Sequence, residues 1–198
     1  QEQCVDAYWK MSLQVEAALV SGKHLIQLML DYKKCFDLVP QGIALAVVEL
    51  LGLSSRILGP LSLVTRDLNL RFKAAGGVGR AFKRTNGIVQ GDALSVILVN
   101  ALVLVWILSI EIEGPADART ITFADDQNVN VVADSAVVVQ EKAEVVLELT
   151  SEFATLTGQE FGVGKSKAAA TTKAARAVIP KLLLQGHGLQ KVQDSRVL

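Results

Sequence analysis

Apolar residues recur at helical spacing through residues 5–21, at Ala7, Met11, Val15, Ala18 and Leu19, and Gly22 stops the run. Residues 24–30 follow as a strand-like apolar stretch ending at Asp31. Pro40 suits the first turn of a helix, residues 43–51 are apolar enough to pack as one, and Gly52 supplies a left-handed cap. Ser54 or Ser55 caps a further helix, bent near Gly59 and Pro60. Over residues 68–88 the apolar Leu70, Phe72 and Phe82 alternate with charge around Gly76, Gly77 and Gly79, which predicts a hairpin. Residues 93–110 form the most apolar stretch. Residues 120–124 and 128–132 are short alternating runs joined at Asp125 and Asp126, a strand, turn, strand pattern. From Ser135 a helix presents Val139, Ala143, Val146, Leu149, Phe153 and Leu156 on one face and ends at Gly158. Residues 168–175 are compositionally simple. This order predicts an α+β fold, an antiparallel sheet with helices packed on one face.

The run 93–110 carries no charge, yet Ser95, Asn100 and Ser109 interrupt it, Asp92 and Glu111 close it, and no Lys or Arg anchors its ends. It reads as a core helix rather than a membrane span. With 51% hydrophobic and 20% charged residues over 198 positions, the chain has enough material for one core. Cys4 and Cys35 are too few for a disulfide framework and lack zinc-site spacing, which favours a reducing, intracellular setting without resolving nucleus from cytoplasm. No secretory leader is visible at Gln1, and a piece of a longer protein is expected. The formal net charge of zero hides two basic blocks. Arg56, Arg66, Arg71, Lys73, Arg80, Lys83 and Arg84 stand against Asp67 alone, and a second block runs from residue 164 to the end. Either block alone also suits a solvated surface.

Three acids fall where the pattern places strand ends or turns: Asp31, and the adjacent Asp125 and Asp126. Neighbouring carboxylates repel unless a cation lies between them, and a hard divalent ion is the usual remedy, although Asp-Asp also suits a plain turn. Around them stand Leu30-Asp31-Tyr32-Lys33-Lys34-Cys35-Phe36-Asp37, then Gly87-Ile88-Val89-Gln90-Gly91-Asp92-Ala93-Leu94-Ser95, then Phe123-Ala124-Asp125-Asp126. In this order the segments resemble motifs A, B and C of the reverse transcriptases, most like those of non-LTR retrotransposons. The segment from Gly158 to Lys165 and Ser166 resembles motif D. Phe123 stands where motif C usually has Tyr, Asp92-Ala93 follows Gln90-Gly91 where a small residue and Pro are common, Val96 replaces a later Pro, and Gly162 replaces a frequent Asn.

The resemblance implies a polymerase palm with partial fingers, residues 1–198 forming one partial domain that lacks most of the fingers and the thumb. It implies RNA-directed DNA synthesis from dNTPs on a DNA primer and an RNA template, with no membrane partner and an unassigned oligomeric state. Asp31, Asp125 and Asp126, with the carbonyl of Tyr32, would hold two Mg2+ ions, Mn2+ being an alternative. Phe36, five residues after Asp31, would be the steric gate against ribonucleotides, and the amides of Lys34 and Cys35 would face the triphosphate. Gln90 and Gly91 would lie against the incoming nucleotide and template base, and Lys165 would act as general acid toward pyrophosphate. Arg71, Lys73, Arg80, Lys83 and Arg84 would face nucleic-acid phosphates. An RNA-copying RNA polymerase would more typically have Asp and Gly where this chain has Phe36 and Ala124. A catalytically inactive relic that still binds nucleic acid is the other alternative.

Overall fold

A computed structural model describes residues 4–67, 69–84, 86–123, 126–162 and 164–192. Helix α1 (Cys4–Val20) ends at Gly22, whose φ of 68° a side chain would strain, and strand β1 (His24–Leu30) follows. A single helical turn, α2 (Cys35–Leu38), precedes α3 (Gln41–Leu50) and α4 (Ser55–Arg66). Ser54 caps α4 by accepting a hydrogen bond from the Arg56 amide, and Pro60 lies within the helix. The predicted hairpin is two short antiparallel ladders, β2 (Asn69–Leu70) with β5 (Phe82–Lys83) and β3 (Lys73–Ala74) with β4 (Gly77–Val78). After α5 (Ala93–Glu113) come β6 (Arg119–Phe123), β7 (Asp126–Ala133) and α6 (Ala136–Thr157), whose ends are set by Ser135, accepting from the Val138 amide, and the left-handed Gly158.

The chain closes with β8 (Lys167–Ala170), α7 (Lys173–Val178), a 3-10 turn at Ile179–Lys181, the paired β9 (Leu183–Leu184) and β10 (His187–Gly188), and β11 (Gln190–Lys191). The simple segment at 168–175 thus becomes a buried strand and the start of a helix. Its alanines carry no strand alternation, but their small side chains fit beneath the helices, with Ala168, Ala170 and Ala175 all in the core.

The central sheet has strand order β11-β8-β1-β7-β6 and is antiparallel except for the β11–β8 pair. Alternation along β1 sends Ile26, Leu28 and Leu30 into the main core with Val129 and Val131 of β7, beneath α3, α5 and α6. Leu25 and Val132 face the other way, against Val15 and Ala18 of α1. The helices therefore gather on one face as expected, and α1 additionally crosses part of the other. That second interface is partly polar: Gln27 donates to Met11 Sδ at 3.0 Å and Asn130 donates to Gln14 at 2.8 Å.

Helix α5 buries Ser95, Leu98, Leu102, Trp106 and Ile110, a stripe at helical spacing, between α3 and α6. It is the one described helix long and apolar enough to cross a membrane by length and composition. The fully buried Trp106 donates its indole N–H to Thr150 of α6 at 3.0 Å. Replacing Trp106 with Ala should cost about 3–5 kcal/mol in chemical denaturation, whereas Ile112→Ala on the exposed side of the same helix should stay within about 0.5 kcal/mol.

Candidate active site

The register of the sheet assembles the site. Pairing of β1 with β7 runs to Leu30 opposite Gln127, so the next positions on the two strands are Asp31 and Asp126. Pairing of β6 with β7 ends with Phe123 opposite Asp126. On the other side, Met29 is opposite Lys167 of β8, two residues beyond Lys165. One edge of the sheet therefore presents Lys165, Asp31, Asp126 and Phe123 in a row on the face that α1 leaves partly open. Of the two residues expected to join these strands, Asp126 pairs with Phe123 and begins β7. Asp125 and Ala124 lie outside the described residues.

The Lys165 ammonium stands 3.5 Å from Asp31 Oδ1, with the carboxylate side chain 39% exposed. The segment carrying Lys165 is fastened to Asp31 along the main chain. Ser166 Oγ accepts from the Asp31 amide at 3.2 Å, and the Gly162 amide donates to the Asp31 carbonyl at 2.7 Å. Two residues on, the Lys33 amide donates to the Glu160 carbonyl at 2.8 Å, and the Lys33 and Glu160 side chains pair at 2.7 Å. This ion pair, with the Lys33 hydrogen bond first among its effects, holds the Glu160 carboxyl below its ordinary range. A Cβ at Gly162 would stand in ordinary van der Waals contact with the Lys165 side chain at 3.4 Å and the Asp31 carbonyl at 3.5 Å.

Tyr32 pairs with Phe161 across this junction, and the two rings stack with centroids 4.5 Å apart. The bonds flanking the pair belong to Asp31 and Lys33, so the Tyr32 carbonyl is directed away from Phe161. While Asp31 faces the open side, Tyr32 points into the core, where its hydroxyl accepts from Gln127 Nε2 at 2.7 Å. Burial above all pushes the Tyr32 phenol up, the Gln127 hydrogen bond pulls it down and nearby Cys35 adds to the rise, so the phenol stays neutral. Gln127 is fully buried, and its Oε1 has no hydrogen-bond partner among the described residues.

After Tyr32 the chain turns through Lys34, held in the left-handed region at φ 56° and ψ 54°, into α2. Cys35 is buried, and the half-buried Phe36 packs against the core. The segment before α5 bonds directly to this turn: the Ile88 amide donates to the Phe36 carbonyl and the Gly87 amide to the Val39 carbonyl, each at 2.8 Å. Gln41 Nε2 donates to the Gly87 carbonyl at 2.6 Å, while Arg84 donates to the Ile88 carbonyl and pairs with Asp37 at 2.6 Å. Gln90 and Gly91 are exposed beyond this junction. Of the five hairpin cations, Arg84 is thus engaged with Asp37 and Lys83 with Asp67 at 2.8 Å, while Arg71, Lys73 and Arg80 are exposed.

From the sequence, Gly87 and Ser166 stand out only as members of motif-like segments with no role of their own, and Gln127 and Gln41 not at all. For Gln127 a signal existed: an amide at an inward position of a strand otherwise filled there by Val129 and Val131. Gly87 has a sharper requirement than Gly91, since a Cβ would meet the Asp37 carbonyl oxygen at 2.5 Å. Among the described residues, no three His, Cys, Asp or Glu side chains gather as a metal centre would need.

Among solved structures, the chain is similar to telomerase from Candida albicans in complex with a TWJ fragment of telomeric RNA. The TM-score is 0.66 and identity 18%, covering 84% of this chain and 30% of that one. It is also similar to apo telomerase from Candida tropicalis truncated from its C-terminal domain, with TM-score 0.65 and 14% identity over 86% of this chain and 36% of that one. Telomerase from Candida tropicalis in complex with a TWJ fragment of telomeric RNA matches at TM-score 0.65 and 16% identity, over 87% and 30% of the respective chains. The chain has a reverse-transcriptase-like fold, spanning 30–36% of the length of these telomerase chains. No protein-family model and no curated protein matches the sequence.

Two outcomes are expected in urea denaturation. Gly87→Ala should lower stability by more than Gly91→Ala, because both positions carry positive φ, a cost of roughly 1–2 kcal/mol for a non-glycine residue, but only Gly87 is pressed against backbone. Tyr32→Phe should cost about 1–3 kcal/mol by leaving the buried Gln127 amide unpaired, and adding Gln127→Leu should recover most of that loss.

Proposed function

We propose that the chain is the palm of an RNA-directed DNA polymerase, extending a DNA primer on an RNA template from dNTPs. The observation that carries this reading is the row formed by Lys165, Asp31, Asp126 and Phe123 at one edge of a reverse-transcriptase-like sheet. The order of the segments resembling motifs A to D supports an origin in a retroelement of the non-LTR kind.

The donor chemistry fits Mg2+, since Asp31 and Asp126 offer hard carboxylate oxygens from neighbouring strand ends. Asp31, Asp125 and Asp126, with the Tyr32 carbonyl, would hold the ions. Bound there, they would supply a nucleophilic primer 3′-oxygen and neutralise charge on the phosphates. The chain's own residues do the rest. Lys165, already beside Asp31, carries a proton for the departing pyrophosphate. Phe36, anchored through its carbonyl to Ile88, sets its ring where a ribose 2′-hydroxyl would sit. The amides of Lys34 and Cys35 bind the triphosphate, and Gln90 with Gly91 lies under the nascent base pair. Arg71, Lys73 and Arg80 bind nucleic-acid phosphates, and Lys83 and Arg84 join them on release from their carboxylates.

The second reading is a chain that keeps the fold and binds nucleic acid without catalysis, and Phe123, Asp92-Ala93 and Gly162, which depart from the usual pattern of the motifs they resemble, favour it. Primer extension on an RNA template with Mg2+ decides between them. The polymerase reading expects dNTP incorporation that Asp31→Asn reduces by about a thousandfold or more, in line with loss of a charge-stabilising group in phosphoryl transfer. Phe36→Ala should raise incorporation of ribonucleotides relative to deoxynucleotides. Oligonucleotide binding with no extension, in this chain and in a version carrying added fingers and thumb, favours the second reading.

A further inference from the structure

The hairpin before α5 leaves two large aromatic rings in water. Phe72 is 75% exposed and Phe82 is 39% exposed, yet their centroids lie 5.1 Å apart with planes inclined by 22°. The ladders create this pair from residues ten apart in the chain: Leu70 is opposite Phe82, and the Gly79 amide donates to the Phe72 carbonyl at 2.8 Å. At the tip, Ala75 and Gly76 both have positive φ, 47° and 81°, which closes the hairpin tightly. Stacked rings gain about 1 kcal/mol from each other, and most of the Phe72 surface remains uncovered.

The surrounding charge indicates what covers it. Residues 69–84 include five basic side chains and no acid. Lys83 and Arg84 fasten the base of the hairpin to Asp67 and Asp37, whereas among the described residues none forms an ion pair with Arg71, Lys73 or Arg80. Two of these cations flank Phe72 directly, and all three are exposed. An apolar protein partner would be served by the rings but would have to desolvate the cations. A duplex would match the cations but offers its base faces only at its ends. A single strand matches both, presenting flat bases to the rings and phosphates to the cations.

We infer that the Phe72–Phe82 pair is a stacking platform for unpaired bases, with Arg71, Lys73 and Arg80 holding the phosphates of the same single strand. This rests on the polymerase reading only for the choice of nucleic acid as partner class. Arg84, two residues after Phe82, ties the base of the hairpin to Asp37, the neighbour of Phe36.

Fluorescence anisotropy with the whole chain tests it, using a labelled uridine oligomer of roughly 12 nucleotides and a labelled duplex, across a series of salt concentrations without nucleotides or metal. Phe72→Ala should weaken oligomer binding about tenfold while leaving the slope of log affinity against log salt unchanged. Phe72→Trp should bind at least as well as the parent, and Phe72→Leu, apolar but without a π face, should fall with the alanine variant. The combined Arg71→Ala, Lys73→Ala and Arg80→Ala variant should flatten the salt slope by about 0.7 per lost phosphate contact. Circular dichroism of each variant should match the parent, as expected for exposed positions. Parent-like oligomer binding by Phe72→Ala or Phe72→Leu would overturn the inference in favour of a protein partner, and an equal loss of duplex binding would overturn base stacking. A chain that binds through Phe72 but extends no primer fails the polymerase reading alone, and one that extends primers with Phe72→Ala binding unchanged fails this inference alone.

Discussion

The two-residue alternation at the end of β1 is the constraint on which the rest of the molecule depends. Leu30 and Tyr32 go into the core and Asp31, between them, goes to the open face. A slip of β1 by one residue against β7 would turn Asp31 into the core and bring Ile26, Leu28 and Leu30 to the open face, a strongly unfavourable exchange. Register is thus enforced by Ile26, Leu28, Leu30, Val129 and Val131, side chains with no chemistry of their own. Hydrophobic burial deep in the sheet positions charge at its rim.

Around that constraint, the Asp31 main chain is used at both ends. Its amide and its carbonyl are bonded to Ser166 and Gly162, two positions of one segment, and Phe161 within that segment stacks on Tyr32. Lys165 therefore inherits its place beside Asp31 from backbone geometry more than from its own ion pair. The exposed Lys165–Asp31 and Lys33–Glu160 pairs are of a kind that contributes little net stability, so they tune charge while the main-chain bonds and the ring stack supply rigidity.

The second junction ties the turn after β1 to the segment before α5. It works by close approach: Gly87 lies against the Asp37 carbonyl, and hydrogen bonds from Ile88 and Gly87 to Phe36 and Val39 continue that contact. Arg84, Asp37 and Gln41 complete it with polar contacts. Both the half-buried Phe36 and the exposed hairpin are thereby referred to the same rigid core, which lets elements far apart in the chain keep fixed relative positions.

By itself, the sequence determined most of the local structure. Helical spacing, the Ser54 and Ser135 caps, the glycines at 22 and 158, and the apolar run of β1 were legible because each depends on neighbours within a few residues. The order of the acidic and glycine-containing segments likewise pointed to the fold that the telomerase structures share. Tertiary structure alone decided that the alanines after Lys167 form a strand, since they become apolar partners only beneath a sheet's helices. It alone decided that α1 crosses the second face, that Gln127 meets Tyr32, that Gly87 is pressed to Asp37, and that Phe72 meets Phe82. Each of these is a contact between distant parts of the chain, and spacing within one segment carries no information about which distant segment will pack against it.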